Sequence, residues 1–239
     1  MIDIGLVVSM VIMVTVPAVF VRPWPASAVV AGVLDTTLGA LVIGLAVGRF
    51  AALAIDDAGS LTNFRDVLIV RSGVEFWPGA VAGLAWLAFR AHRDGVSASV
   101  RLAALAPAGL IAWSFFEATC LLRDGCPGPV SAIGIRPDGL VTRMFPVGLG
   151  VAVAAAASAF ALDRLHRCGL RDAYVVILAI GAVAAIRSVA SIWLPHIGSG
   201  LTRQHKSSVA VLFASSVAML VAARISRERT TPAVEVEVE

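Results

Sequence analysis

Three ionisable residues lie inside long apolar stretches of this sequence. Arg49, Glu117 and Arg187 are each surrounded mainly by hydrophobic residues. An uncompensated charge in a bilayer costs at least about 2.5–3.5 kcal/mol on insertion scales, so such residues usually face a polar interior and find partners. The sequence therefore predicts that these side chains meet in a polar region between helices.

The three charges also share one predicted depth. If the N-terminus is outside, each lies about five to seven residues before the outer end of its segment, or roughly 8–10 Å below that boundary. One interpretation is an ion-paired cluster that holds the helices in register. The other is a cavity for an anionic lipid head group, because two arginines exceed one carboxylate.

A pair of cysteines follows the segment that carries Glu117. Cys120 and Cys126 lie six residues apart, where this segment meets an outer loop. In an oxidising compartment they could form a disulfide that closes the turn, although free buried thiols or a redox pair remain alternatives. No metal site is expected, because no histidine lies close by and two thiolates are too few ligands.

Other sequence signatures of chemistry are missing. The four histidines stand in loops without a serine, cysteine or carboxylate at motif spacing, and no phosphate-binding loop, zinc-peptidase motif or nucleophile elbow occurs. No basic cluster with interleaved aromatic residues indicates nucleic acid. We therefore expect neither a cofactor nor a nucleic-acid partner.

The elements that must position these residues are apolar helices. Of the 239 residues, 59% are hydrophobic and only 15% are charged, too few charges to cover a soluble domain. The apolar runs are continuous rather than alternating, which argues against a transmembrane barrel. We predict an all-α integral membrane protein with about seven transmembrane helices, at roughly 4–21, 37–55, 75–90, 102–122, 145–162, 173–194 and 207–223. The third opens with Pro78 and Gly79, which suggests a re-entrant turn.

Basic residues set the predicted orientation. With the N-terminus outside and the C-terminus cytoplasmic, ten basic residues fall on the inner side and seven fall on the outer side, as the positive-inside rule favours. One membrane domain is expected over 1–229, followed by a disordered acidic tail over 230–239. Gly44 with Gly48, and Gly79 with Gly83, have the spacing that lets helix backbones approach closely.

Several segments resemble bacterial prolipoprotein diacylglyceryl transferase, in the same order along residues 35–220. The family has a Gly-x-Arg helix followed by a Phe-His-Gly-Gly-x-x-Gly turn, then a signature at the outer end of a helix, a helical arginine and a Leu-Thr-x-Gly-Gln-x-x-Ser segment. The corresponding stretches here are Gly48-Arg49 in its helix, Trp77-Pro78-Gly79-Ala-Val-Ala-Gly83, the region from Cys120 to Gly128, Arg187, and Leu201-Thr-Arg-Gln204-His-Lys-Ser207.

The resemblance implies a location and an activity. The family lies in the bacterial inner (plasma) membrane and moves diacylglycerol from phosphatidylglycerol to the lipobox cysteine of a prolipoprotein, whose signal peptide would be a second partner. Lipid binding would fall to Arg49, Arg187, Gly79, Arg143 and Gln204, while Glu117 would balance the charge or act as the catalytic base.

The sequence also departs from the family pattern. Pro78 and Phe145 stand where the family has histidines, Glu117 stands at the leading arginine of the signature, and Ser191 replaces a glutamate. Two other functions stay open: a non-catalytic lipid-binding membrane subunit of the same fold, and a thiol-redox membrane protein using Cys120 and Cys126.

Overall fold

A computed structural model describes residues 4–20, 32–56, 58–59, 73–122, 128–136, 141–194 and 200–230. The described residues form seven α-helices, which confirms the predicted all-α class. They are α1 (Ile4–Phe20), α2 (Val33–Asp56), α3 (Phe76–Arg93), α4 (Ala98–Ala118), α5 (Val147–Arg167), α6 (Asp172–Trp193) and α7 (Arg203–Thr230). A 3-10 turn (Thr119–Leu122) follows α4, and a short strand β1 (Val130–Ile135) precedes α5.

Five of these described helices are long and apolar enough to cross a membrane: α2, α4, α5, α6 and α7. Helix α1 has 17 residues and α3 has 18 with a basic last turn, and neither belongs to this group. Such a set of apolar helices indicates a multi-pass membrane protein. The predicted acidic tail lies outside the described residues, apart from Thr230 at the end of α7.

Glycines bring α2 and α3 into close contact, as their spacing predicts. A Cβ atom on Gly44 would lie 2.9 Å from the carbonyl oxygen of Gly79, and one on Gly79 would lie 2.6 Å from that of Gly44. Gly83 faces the backbone of Ala40 in the same way, at 3.1 Å. Helix backbones reach this separation when the residues at the contact are small.

The third apolar segment begins as regular helix, so the expected re-entrant turn is wrong. Helix α3 starts at Phe76 and places Pro78 in its first turn. Proline is tolerated there because the backbone N–H groups of a first turn have no partner within the helix.

The centre of the bundle is formed by α4, α5 and α6. Buried residues of these three helices make one apolar cluster: Leu110, Ile111, Ala159, Leu162 and Ala179. Helix α1 packs against α4, while α7 packs chiefly against α6. Arg187 therefore stands on a central helix, and α7 lies at the edge.

Strand β1 was not predicted. It is antiparallel to the segment that leads into α5, with Ser131 N donating to the carbonyl oxygen of Arg143 (3.0 Å) and Phe145 N donating to that of Pro129 (2.9 Å). This ribbon lies at the end of the bundle where α4 ends and α5 begins. Its residues Val130, Ser131 and Phe145 line an apolar groove along α5 and α6.

Candidate functional site

A cavity of about 320 Å³ opens where α4, α5, α6 and α7 meet, and we call it the central cavity. Its polar wall contains Glu117, Arg187 and Gln204, together with Trp113 and Cys120. Its apolar wall is formed by Phe116, Val147, Gly148, Val151, Ala190 and Leu194. Four of the residues selected from the sequence, Glu117, Cys120, Arg187 and Gln204, thus line one cavity.

Glu117 is held at the mouth of this cavity by its own helix. Trp113 lies one turn earlier on α4 and donates its indole N–H to Glu117 Oε1 at 2.9 Å. Gly148 allows α5 to approach closely, since a Cβ there would be 3.0 Å from Cys120 Sγ and 3.3 Å from the Glu117 carbonyl oxygen. The carboxylate therefore has a fixed donor, and α5 lies close to the backbone of Glu117.

Arg187 lies across the cavity on the face of an aromatic ring. Its guanidinium carbon is 3.8 Å from the ring centroid of Phe76, a cation–π contact that compensates part of the lost hydration. Glu117 and Glu75 both attract this charge electrostatically, yet no carboxylate of the described residues lies within 4 Å. Its buried Nε has no hydrogen-bond partner among them.

A second cavity, of about 270 Å³, lies on the other side of Arg187. We call it the Glu75 cavity; it lies where α3 and α7 begin. It is lined by Val74, Glu75, Phe76, Trp77, Arg187, Thr202, Arg203, Gln204 and Ser207. Arg187 and Gln204 belong to both cavities and so form the boundary between them.

Arg203, at the start of α7, forms ion pairs with the end of α2 and with the residue before α3, beside the Glu75 cavity. Its Nε lies 2.8 Å from Glu75 Oε1 and its Nη2 lies 2.7 Å from Asp56 Oδ1. The neighbouring Trp77 donates its indole N–H to Ser208 Oγ at 3.0 Å. Because α3 and α7 make few other contacts, these polar contacts fix their relative position.

An apolar groove of about 650 Å³ adjoins the central cavity along α5 and α6. The two share Val147, Val151 and Ala190. The groove also contains exposed apolar side chains, among them Val130, Phe145, Val189 and Trp193. It therefore opens on the surface of the bundle and leads inward to Glu117 and Arg187.

The remaining predicted site residues lie apart from the central cavity. Arg49 is buried at the same end of the bundle, where its Nη1 lies 3.4 Å from the Gly73 carbonyl oxygen. Gly79 belongs to the contact between α2 and α3. Arg143 is exposed in the ribbon that pairs with β1. None of these three lines the cavities described for this part of the chain.

This placement alters the predicted charge balance. The surplus of positive charge was expected from Arg49, which instead supports the segment before α3. The described walls of the two polar cavities carry two guanidinium groups and two carboxylates. However, Glu117 and Glu75 each have a close donor, whereas Arg187 has no close acceptor among the described residues. The unfilled requirement of the site is thus for an acceptor, such as an anion.

Cys120 lines the central cavity and is disulfide-bonded. Its predicted partner Cys126 lies outside the described residues, so that pairing stays a prediction. Cys120 is only 4% exposed, which is unlike a redox-active cysteine, since those are partly accessible. Cys168 is free and exposed at the other end of α5.

Sequence reasoning missed a half-buried histidine contact between α6 and α7. His205 Nδ1 lies 2.9 Å from Ser191 Oγ and 3.1 Å from the Ser188 carbonyl oxygen. A carbonyl oxygen can only accept, so this nitrogen carries the proton. The contact fixes the first turn of α7 and with it the neighbouring Gln204.

No protein-family model matches this chain, and no curated protein matches it. The resemblance to the diacylglyceryl transferases therefore remains a prediction.

Proposed function

We propose that this chain binds an anionic phospholipid, phosphatidylglycerol, at the outer end of a seven-span bundle in a bacterial inner membrane. We further propose that it is a divergent prolipoprotein diacylglyceryl transferase. In this orientation the N-terminus is outside and the C-terminus is cytoplasmic. The lipid would supply diacylglycerol to the thiol of a lipobox cysteine.

The observation that carries this proposal is the direct connection between an apolar groove and an arginine without an acceptor. A phospholipid has both an acyl chain for the groove along α5 and α6 and a phosphate for Arg187. Phosphate oxygens accept the hydrogen bonds that the guanidinium cannot make within the described protein. The central cavity and the groove both fall in the size range of small-molecule sites.

Transfer requires a base and a stabilised leaving group. Glu117 would take the proton of the acceptor thiol, and the thiolate sulfur would attack the glycerol carbon that carries the phosphate. The carbon–oxygen bond breaks, and glycerol phosphate leaves as an anion stabilised by Arg187. The diacylglyceryl group is then joined to sulfur, and Glu117 holds the proton.

A non-catalytic lipid-binding subunit is the second candidate. It is favoured by the lining of the central cavity, where the described residues include one carboxylate and no histidine. Binding needs Arg187 and the groove, whereas transfer also needs Glu117. The two functions therefore differ in their dependence on that carboxylate.

The test uses purified protein in mixed micelles with phosphatidylglycerol and a lipobox peptide. Mass spectrometry would measure lipid retained by the protein and diacylglycerol attached to the peptide. Arg187→Ala should lose most retained lipid, roughly tenfold or more, because a charge-assisted bidentate contact is removed. Glu117→Gln should retain lipid and lose transfer by about 100-fold or more.

Three results are decisive. Transfer by wild-type protein that Glu117→Gln abolishes supports the enzyme. Lipid retention without transfer, equal in wild type and Glu117→Gln, leaves the non-catalytic subunit. Equal retention by wild type and Arg187→Ala would reject the lipid site itself.

A further inference from the structure

Three adjoining spaces form one path through the outer end of the bundle. The apolar groove joins the central cavity through Val147, Val151 and Ala190, and the central cavity joins the Glu75 cavity at Arg187 and Gln204. A lipid whose chain fills the groove and whose phosphate contacts Arg187 must direct the rest of its head group onward. The Glu75 cavity is the next space along this path.

The lining of the Glu75 cavity is rich in hydrogen-bonding groups. Besides its charged residues, it exposes the side chains of Thr202, Gln204 and Ser207. Part of this capacity is used internally, since Thr202 Oγ1 accepts from His205 N (3.1 Å) and Ser207 Oγ donates to the Gln204 carbonyl oxygen (3.1 Å). The amide of Gln204 can both donate and accept, which suits a ligand bearing hydroxyl groups.

The charge of this cavity depends on one ion pair. Glu75 is 20% exposed at its side chain, and alone it would attract a cationic head group. Arg203 prevents this, because its Nε lies 2.8 Å from Glu75 Oε1. Asp56 is the other partner of Arg203 but does not line the cavity. Together Glu75 and Arg203 contribute no net charge to the described lining of the cavity.

We propose that the Glu75 cavity is the subsite for an uncharged, hydroxyl-bearing head-group terminus, and that Arg203 masks Glu75 so that the site discriminates against ammonium head groups. This inference rests on the proposed lipid binding and names its head-group selectivity. Thr202 stands immediately before α7 and Arg203 begins it, so the same short segment supplies the cation and the polar wall. Glu75 likewise stands immediately before α3.

The test measures lipid choice directly. Purified protein is equilibrated with micelles that contain phosphatidylglycerol and phosphatidylethanolamine in equal amounts, and the retained lipids are quantified by mass spectrometry. Wild-type protein should retain more phosphatidylglycerol. In Arg203→Gln the retained ratio of phosphatidylglycerol to phosphatidylethanolamine should fall by roughly threefold to tenfold, because Glu75 is unmasked.

Three further variants identify the cause. The double variant Arg203→Gln with Glu75→Gln should return to the wild-type ratio, since no carboxylate remains in the described lining of the cavity to attract ammonium. Arg203→Lys keeps the positive charge, and Asp56→Asn removes only the outer partner; both should keep that ratio. An unchanged ratio in Arg203→Gln, or a double variant that stays shifted, would overturn the inference.

The result also separates this inference from the function on which it rests. If wild type retains lipid through Arg187 and only the Arg203→Gln ratio fails to move, the selectivity proposal is wrong and lipid binding stands. If wild type and Arg187→Ala retain lipid equally, the lipid site fails first and the selectivity proposal falls with it.

Discussion

At the scale of single residues, the burial of Arg187 carries an energetic cost. Its guanidinium is partly compensated by the face of Phe76 and by the attraction of two glutamates, but its Nε remains without a hydrogen bond in the described structure. Unmade hydrogen bonds of a buried charged group are expensive. An anion that accepts these hydrogen bonds would remove this cost, and the free energy recovered would favour its binding.

Phe76 should therefore affect lipid binding by holding the guanidinium of Arg187 in position. Phe76→Leu keeps an apolar residue but removes the cation–π contact, so retained phosphatidylglycerol should fall roughly threefold to tenfold. Phe89→Leu is the matched control, because Phe89 lies under Arg93 with a guanidinium-to-centroid distance of 5.9 Å, far from the site along α3. Equal lipid retention by both variants would contradict the role of Phe76.

Part of the site could be predicted from single residues, and part could not. Glu117 and Arg187 stand out because charges are rare in apolar helices, and both line the central cavity. Glu75 and Arg203 lie at helix ends, where charges are ordinary, so nothing in the sequence separates them from solvated loop residues. Thr202, an N-cap residue type just before Arg203, was the available signal that α7 begins there.

At the scale of elements, the contact between α2 and α3 positions the polar end of the site. Glu75 N donates to the Gly48 carbonyl oxygen at 3.0 Å, and Arg49 Nη1 lies 3.4 Å from the Gly73 carbonyl oxygen. Both contacts hold the backbone just before α3. Arg49 therefore supports Glu75 rather than facing the central cavity.

Closing the glycine contact should destabilise the bundle. In Gly79→Ala the new Cβ would lie 2.6 Å from the Gly44 carbonyl oxygen, so the helices must separate, at a cost of about 1–3 kcal/mol. Reversible unfolding in mixed detergent micelles, followed by circular dichroism, measures this change.

The control is a helical glycine with open space beside it. No atom lies within 4 Å of a Cβ built on Gly109 in α4, and Gly109→Ala should raise stability by up to about 1 kcal/mol. A Gly79→Ala protein as stable as wild type would show that α2 and α3 are not in close contact.

The elements themselves were largely predictable. Each predicted apolar segment corresponds to one described helix, because continuous runs of hydrophobic residues with few charges have no other stable arrangement in a bilayer. The predicted and observed helix ends differ because the helices continue with polar residues beyond their apolar part. Helix α7, for example, continues to Thr230. Strand β1 was missed because its partner lies beyond a loop and its six residues show no clear alternation.

At the scale of the whole molecule, the residues of the candidate site gather at one end of the bundle. The carboxyl ends of α2, α4 and α6 meet the amino ends of α3, α5 and α7 there. Cys168 marks the opposite end, in the turn between α5 and α6. The chain thus carries a natural probe of its orientation.

A membrane-impermeant maleimide should not label Cys168 in intact cells, and should label it once the membrane is permeabilised. The reason is the excess of basic residues on that side, which the positive-inside rule assigns to the cytoplasm. The control is Val141→Cys, because Val141 is 89% exposed in the ribbon at the site end; it should react in intact cells. The reverse labelling pattern would invert the proposed orientation and place the site in the inner leaflet.

The apolar groove between α5 and α6 has a consequence for supply and release. Since exposed Val189 and Trp193 flank it, an occupant would exchange sideways with the bilayer and never dissolve in water. Its mole fraction among neighbouring lipids, rather than a concentration per volume, would then set occupancy. Transfer rates measured in micelles should accordingly fall when inert detergent is added at a constant total amount of lipid. The reason is that added detergent lowers the mole fraction of the lipid in the micelle.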